Sequence, residues 1–171
     1  MKIKRMIFIS LFSAILCTLS PIAFPIGSVP VTLSVFAIFI TALVLPSRDA
    51  VISTIIYLLL GCVGLPVFSG FRGGISIIFG ATGGFLWSYP FMAFIISIVK
   101  SKNRIIALAL SLMFCYIAGI IQLKQITGIT LYSAILAGSL PFIPFDIIKL
   151  ILALFISKPL EKACASFYKL R

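Results

Sequence analysis

Residues 139–157 of this 171-residue chain, SLPFIPFDIIKLILALFIS, decide its fold class. Asp146 and Lys149 stand three positions apart in an apolar run, so on a helix they share one face. An ionisable side chain at the depth of a bilayer core costs about 2.5–3.5 kcal/mol on insertion scales, which a lipid-facing position does not offset. Both side chains are therefore expected to face the interior of a bundle of membrane helices.

Pro144 indicates where this helix begins, because proline suits the first helical turn, where its missing N–H has no helical partner. Asp146 then lies near the positive end of the helix dipole, and residues 132–140 form a separate segment at the outer surface. Two interpretations of the Asp146 and Lys149 pair stay open. It is either an ion pair that fixes the helix in the bundle, or a polar anchor for a small ligand, in which the carboxylate accepts N–H groups and the ammonium donates to oxygen.

The composition extends the membrane interpretation to the whole chain. Hydrophobic residues make up 62% and charged residues 10%, and the mean hydropathy is +1.30, whereas a soluble domain is about 45–50% apolar and about 25% charged. Three acidic residues, no histidine and scattered cysteines exclude a carboxylate-pair hydrolase, a zinc site and a histidine-based triad. We predict that the chain is not an enzyme and holds no metal or cofactor.

Six apolar runs are candidates for membrane helices, since a helix needs roughly 20 residues to cross about 30 Å of hydrocarbon. They cover 6–24, 31–45, 50–68, 75–99, 105–123 and the interior of 132–157. The first run lacks a clean small-x-small cleavage pair, so we expect it to be retained and not removed as a signal peptide. The predicted fold is an all-α integral membrane protein, one domain over 1–171 with six transmembrane helices.

The net charge of +11 indicates membrane orientation and not nucleic-acid binding, because the 14 Lys and Arg residues lie in short clusters between apolar runs. If both termini are cytoplasmic, only Arg72 and Lys124 lie in outer loops, Lys149 falls within a span, and the other basic residues are inside. Because cytoplasmic loops carry the excess of Lys and Arg, we predict that both termini are cytoplasmic.

This orientation places two unusual segments on the outer face: residues 24–32, FPIGSVPVT, and residues 61–84, GCVGLPVFSGFRGGISIIFGATGG, which hold most of the twelve glycines. Irregular backbone at membrane depth must be buried in protein or line a cavity. Aromatic residues alternate with glycines over 68–74, as in a substrate lid. The alternative is a plain loop, with Gly80, Gly83 and Gly84 letting helices approach closely.

Four motifs together resemble the BioY family, the biotin-binding membrane components of energy-coupling factor transporters. They are VPVTL at 29–33, GLPVFSG at 64–70, GATGGF at 80–85 and PFIPFDIIK at 141–149, in the expected order and spacing. The chain departs from the family pattern at Ser34, Ala81 and Phe85. The resemblance implies uptake of biotin across a bacterial plasma membrane.

The resemblance also implies that Asp146 and Lys149 contact biotin. We expect Asp146 to accept an N–H of the fused ring and Lys149 to donate to an oxygen. Arg72, Ser69 and the backbone amides around Gly70 and Gly73 are candidates for the carboxylate tail, although Arg72 is equally explained as a solvated loop charge. The predicted ligand set is completed by Phe68, Phe71, Tyr57, Thr32 and Thr82, of which the aromatic residues have bundle packing as their alternative.

The chain lacks an ATP-binding motif, so uptake driven by ATP requires partners. The resemblance implies a transmembrane coupling protein and a pair of cytoplasmic ATPases. Ser10, Ala14 and Thr18 recur every four residues and form a small-xxx-small face on the first helix, on which another helix can approach closely. We expect this face to contact the coupling protein; the alternative is a contact within the bundle.

Two other functions compete with biotin binding. The first is a binding component for another vitamin, such as thiamin or riboflavin, against which the Asp-x-x-Lys motif argues. The second is an accessory membrane scaffold that binds no small molecule, in which the glycine-rich segment is only a packing corner.

Overall fold

The computed structural model describes residues 2–24 and 29–169, which form eight α-helices and a two-stranded antiparallel ribbon. The helices are α1 (Lys2–Leu19), α2 (Ser34–Val44), α3 (Ser47–Cys62), α4 (Ile75–Ile78), α5 (Gly83–Val99), α6 (Arg104–Thr127), α7 (Leu131–Gly138) and α8 (Ile143–Lys169). The ribbon pairs β1 (Ala23–Phe24) with β2 (Val31–Thr32). Residues 25–28 of the predicted outer segment 24–32 lie outside the described residues.

Helix α2 forms the centre of the bundle. Its sequence, SVFAIFITALV, is apolar on every side, as expected of a helix with neighbours all around it. Pro46 follows its end, and the last carbonyl groups of α2 need donors from elsewhere. The ammonium group of Lys100 supplies them, donating to the carbonyl oxygens of Ala42, Leu43 and Leu45 at 2.9, 2.7 and 2.8 Å.

Helix α1 packs on α3 through a polar strip. The Arg5 guanidinium forms an ion pair with Asp49, whose side chain is completely buried. One turn further along α3, the Ser53 hydroxyl donates to the carbonyl oxygen of Ile9 at 3.2 Å. The Ser53 carbonyl oxygen accepts from the hydroxyl of Ser13, one turn beyond Ile9 on α1, also at 3.2 Å. These bonds set the rotation of α1 about its own axis.

Helices α5 and α6 approach each other closely at Gly84. A Cβ atom at this position would lie 2.3 Å from the Ala118 carbonyl oxygen, so only glycine fits here. This contact agrees with the helix-packing interpretation of the GATGGF motif.

The predicted spans differ from the observed helices at several places. Residues 20–24 of the first predicted span and 31–33 of the second are not helical, and the two strands of the ribbon lie there. Helix α3 ends at Cys62, so residues 63–68 of the third predicted span are not helical. The fourth span is interrupted between Ile78 and Gly83, where the side-chain amide of Gln122 donates to the carbonyl oxygens of Ile78 and Gly80 at 2.9 and 2.8 Å. The segment predicted to lie before the last helix is itself helical, as α7, and α8 begins at Ile143, beside Pro144 as expected.

Within the described part of the chain, α6 is the one helix that is both long and apolar enough to cross a bilayer by itself. Helix α7 together with residues Ile143–Ser166 of α8 meets the same standard as a pair bent by 43°. Helices α2 and α5 are apolar but shorter.

Candidate ligand-binding site

A cavity of roughly 700 Å³, including the open space at its mouth, lies where the core of the bundle meets the glycine-rich segment. Its walls come from β2 and the start of α2, from the loop between α3 and α4, from α4 and α5, and from α6 and α8. Seven residues of the predicted ligand set line it: Thr32, Phe68, Ser69, Arg72, Thr82, Asp146 and Lys149.

The Asp146 carboxylate is the polar centre of one wall. Asp146 lies in the first turn of α8. Both charged residues are buried: Asp146 is 3% exposed and Lys149 is 7% exposed. The Lys149 ammonium donates to Asp146 Oδ1 at 2.7 Å, and the Tyr116 hydroxyl donates to Asp146 Oδ2 at 2.6 Å. A buried ion pair with additional hydrogen bonds is the arrangement in which such charges are tolerated.

Aromatic and aliphatic side chains form most of the remaining wall. Phe85, Leu86 and Tyr89 project from α5, and Phe142 lies just before α8. Tyr57, a predicted wall residue, does not line the cavity but is fully buried behind it. Its ring meets Phe68 edge to face, with centroids 5.7 Å apart, and stacks on Tyr89 at 6.4 Å.

The loop between α3 and α4 closes on itself over residues 68–72. The N–H of Phe68 donates to the Arg72 carbonyl oxygen at 2.9 Å, and the N–H of Arg72 donates back to Phe68 at 3.3 Å. Arg72 also donates from Nε to the Ser69 carbonyl oxygen at 3.2 Å and is exposed, which places it at the mouth.

Gly70 and Phe71, at the tip of this loop, do not line the cavity. The N–H of Gly70 is engaged by the Pro21 carbonyl oxygen at 3.0 Å. Phe71 is 70% exposed, and its φ of 57° lies in the left-handed region. The tip is therefore held to the segment that follows α1.

The small residues of the predicted docking face, Ser10, Ala14 and Thr18, are all exposed on α1 and lie away from the cavity. The polar strip between α1 and α3 turns this face outward, because Ser13 and Arg5 occupy the opposite side of the helix. The contact of this face with a coupling protein stays a prediction.

Several cavity residues were not predicted. Tyr116 carried the clearest signal that was missed, since it is a tyrosine in the middle of an apolar span. Phe85 is the last residue of the GATGGF motif, and Tyr89 follows it one helical turn later, on the same face of α5. The position of Phe85 in the motif therefore indicated that this face of α5 forms a wall of the site. Ser34 and Phe85 are two of the positions at which the chain departs from the family pattern, and both line the cavity.

The family model described as "BioY family" matches residues 1–166. The chain is 37% identical over 161 residues to a probable biotin transporter BioY of Pyrococcus horikoshii, covering 94% of this chain and 98% of that protein. It is 35% identical to the biotin transporter BioY of Thermotoga maritima, covering 93% and 96% of the two chains.

The fold is similar to a solved crystal structure described as the S-component for biotin from an ECF-type ABC transporter. The TM-score is 0.87 at 30% sequence identity, and the match covers 94% of this chain and 92% of that one. The resemblance in the four motifs is thereby confirmed over nearly the whole length of the chain, and the chain belongs to the BioY family.

Proposed function

We propose that this chain is the biotin-binding membrane component of an energy-coupling factor transporter. The relatives it matches are named biotin transporters, and the similar solved structure is the S-component for biotin of an ECF-type ABC transporter. The chain is accordingly a transport component and not an enzyme.

One observation carries the proposal: a single cavity joins a buried carboxylate and ammonium to an aromatic wall and to an arginine at the mouth. Biotin has two ureido N–H donors, a ureido carbonyl, an apolar thioether ring and a distal carboxylate. Each chemical group of biotin thus has a counterpart in the cavity.

The positions of these groups suggest how biotin lies. Its fused ring packs between Phe68 and the α5 residues, with a ring N–H donating to Asp146 and an oxygen accepting from Lys149. Its carboxylate tail extends towards Ser69 and Arg72, since Arg72 is the basic residue at the mouth. Thr32 and Thr82 complete the polar lining.

In this proposal the chain crosses a bacterial plasma membrane six times with both termini in the cytoplasm. The six spans are α1, α2, α3, α4 with α5, α6, and α7 with α8. The distribution of basic residues supports the orientation. Large exposed apolar side chains on the long helices, such as Met113, Ile148 and Phe155, support a lipid-facing surface.

The proposed partners are a transmembrane coupling protein and two cytoplasmic ATPases. The exposed face of Ser10, Ala14 and Thr18 is the proposed contact with the coupling protein, because small side chains allow two membrane helices to approach closely. ATP is used by the ATPases and is not bound by this chain.

Isothermal titration of the detergent-purified protein with biotin tests the function. We expect saturable binding of one biotin per chain, and no heat of binding with thiamin or riboflavin. Binding of another vitamin in place of biotin would assign the site to a sibling component. Absence of binding to all three would favour a scaffold without a ligand.

A further inference from the structure

Tyr116 connects two helices at the polar centre of the cavity. It lies on α6, thirty residues before Asp146 in the sequence, and its hydroxyl donates to Asp146 Oδ2 at 2.6 Å. Tyr116 and Asp146 both line the cavity, as does Lys149, which donates to the other carboxylate oxygen. The carboxylate is therefore held between one donor from its own helix and one from a neighbouring helix.

The hydrogen-bonding capacity that remains defines what this group can bind. A carboxylate has about four acceptor sites, so after the two observed bonds each Asp146 oxygen keeps one. A phenol that donates its hydrogen retains an acceptor oxygen, and an ammonium with three donors keeps two after one bond. The cavity wall thus offers hydrogen-bond acceptors on Asp146 and Tyr116, with the two remaining N–H donors of Lys149 beside them.

We propose that Tyr116 is a positioning and specificity residue for the ligand, a role that rests on the proposed biotin-binding function. Its hydroxyl holds the Asp146 carboxylate so that the free acceptor sites face the cavity. Its own oxygen adds an acceptor beside them. The wall then selects a ligand with two neighbouring N–H donors flanking a carbonyl, which is the pattern of a cyclic urea, because an unmatched buried acceptor is costly.

The test compares Tyr116→Phe, which removes only the hydroxyl, with Tyr132→Phe. The second variant makes the same change at an exposed position on α7, away from the cavity. Two ligands are titrated: biotin and a biotin analogue methylated on one ureido nitrogen. We expect Tyr116→Phe to weaken biotin binding by about tenfold and to narrow the preference for biotin over the methylated analogue. Tyr132→Phe should change neither the affinity nor the preference.

A double-mutant cycle shows whether Tyr116 acts through Asp146. If it does, adding Tyr116→Phe to Asp146→Asn should cost much less affinity than it costs in the native protein. Fully additive losses, an unchanged preference between the two ligands, or a Tyr116→Phe protein that does not fold would each overturn the proposal. Failure of the native protein to bind biotin would instead refute the proposed function, so the two failures are distinguishable.

Discussion

The ring of Phe68 occupies the space that a side chain at position 61 would need: a Cβ atom on Gly61 would lie 2.1 Å from Phe68 Cζ. Phe68 belongs to the loop between α3 and α4, and its side chain is buried in the bundle, with only 1% exposed. The same side chain forms part of the cavity wall. The glycine of α3 therefore determines where one side of the site lies.

Replacing Gly61 by Ala should displace the Phe68 ring and with it the cavity wall. We expect biotin affinity to fall at least tenfold in a protein that still folds, because the clash is with one side chain and not with backbone. Gly138→Ala on α7 is the matched control. Its new Cβ would require only the Ile120 side chain, at 3.2 Å, to move by a few tenths of an ångström, and would meet the cavity residue Phe85 at an ordinary contact distance of 3.6 Å. Calorimetry on both variants measures the difference, and unchanged affinity in Gly61→Ala would contradict this account of the wall.

The Asp146 and Lys149 pair distinguishes a structural role from a binding role. If the pair only neutralises buried charge, removing both charges should be tolerated, since apolar replacement of a buried pair is often neutral or favourable. If the pair binds the ligand, each single change leaves an unmatched partner and costs about 1–3 kcal/mol of binding. We expect Asp146→Asn and Lys149→Met each to weaken biotin binding at least tenfold, and the double variant to fold without binding.

Glu161→Gln is the control for this series. It removes the partner of Arg104, 2.5 Å away in an ion pair distant from the cavity, and should leave biotin affinity unchanged. Recovery of near-native affinity in the double variant at positions 146 and 149 would assign the pair to structure alone.

The proposed docking face on α1 is tested by enlarging one of its small residues. Ala14→Leu should weaken co-purification with the coupling protein while biotin affinity stays close to native, because a bulky side chain prevents close approach of helices. Ala109→Leu makes the same change at an exposed position on α6 and should leave the complex intact. Loss of biotin affinity with an intact complex would show that the α1 face has been misassigned.

Membrane orientation is tested with single cysteines in a variant whose four native cysteines are replaced by alanine. An introduced cysteine at Phe71, which is exposed at the loop tip, should react with an impermeant maleimide added outside the cell. One at Ser101, between α5 and α6, should react only after permeabilisation. Phe71 is preferred to Gly73, in the same loop, as the position for the outer cysteine, because a Cβ atom at Gly73 would lie 2.3 Å from the Leu65 carbonyl oxygen. The reverse labelling pattern would invert the proposed topology.

Much of the fold and part of the site could be predicted because they depend on local pattern. Apolar composition and run length indicated a helical membrane protein, and the family motifs identified the relatives that the comparisons confirm. The three-residue spacing placed Asp146 and Lys149 on one helix face, and Pro144 marked the start of α8. These features follow from helix geometry and side-chain transfer energy, which neighbouring residues along the chain are sufficient to define.

Other features depended on how the helices pack, and no local pattern in the sequence shows which residues meet across the bundle. Tyr116 meets Asp146 from thirty residues away, and the buried Asp49 is paired with Arg5 of another helix. Gln122 donates to carbonyl groups that the break between α4 and α5 leaves without helical partners. Tyr57 lies behind the cavity wall, in edge-to-face contact with Phe68, whose ring fills the space beside Gly61. Helix period determines which residues share a face, but only the packed arrangement of several helices determines what each face meets.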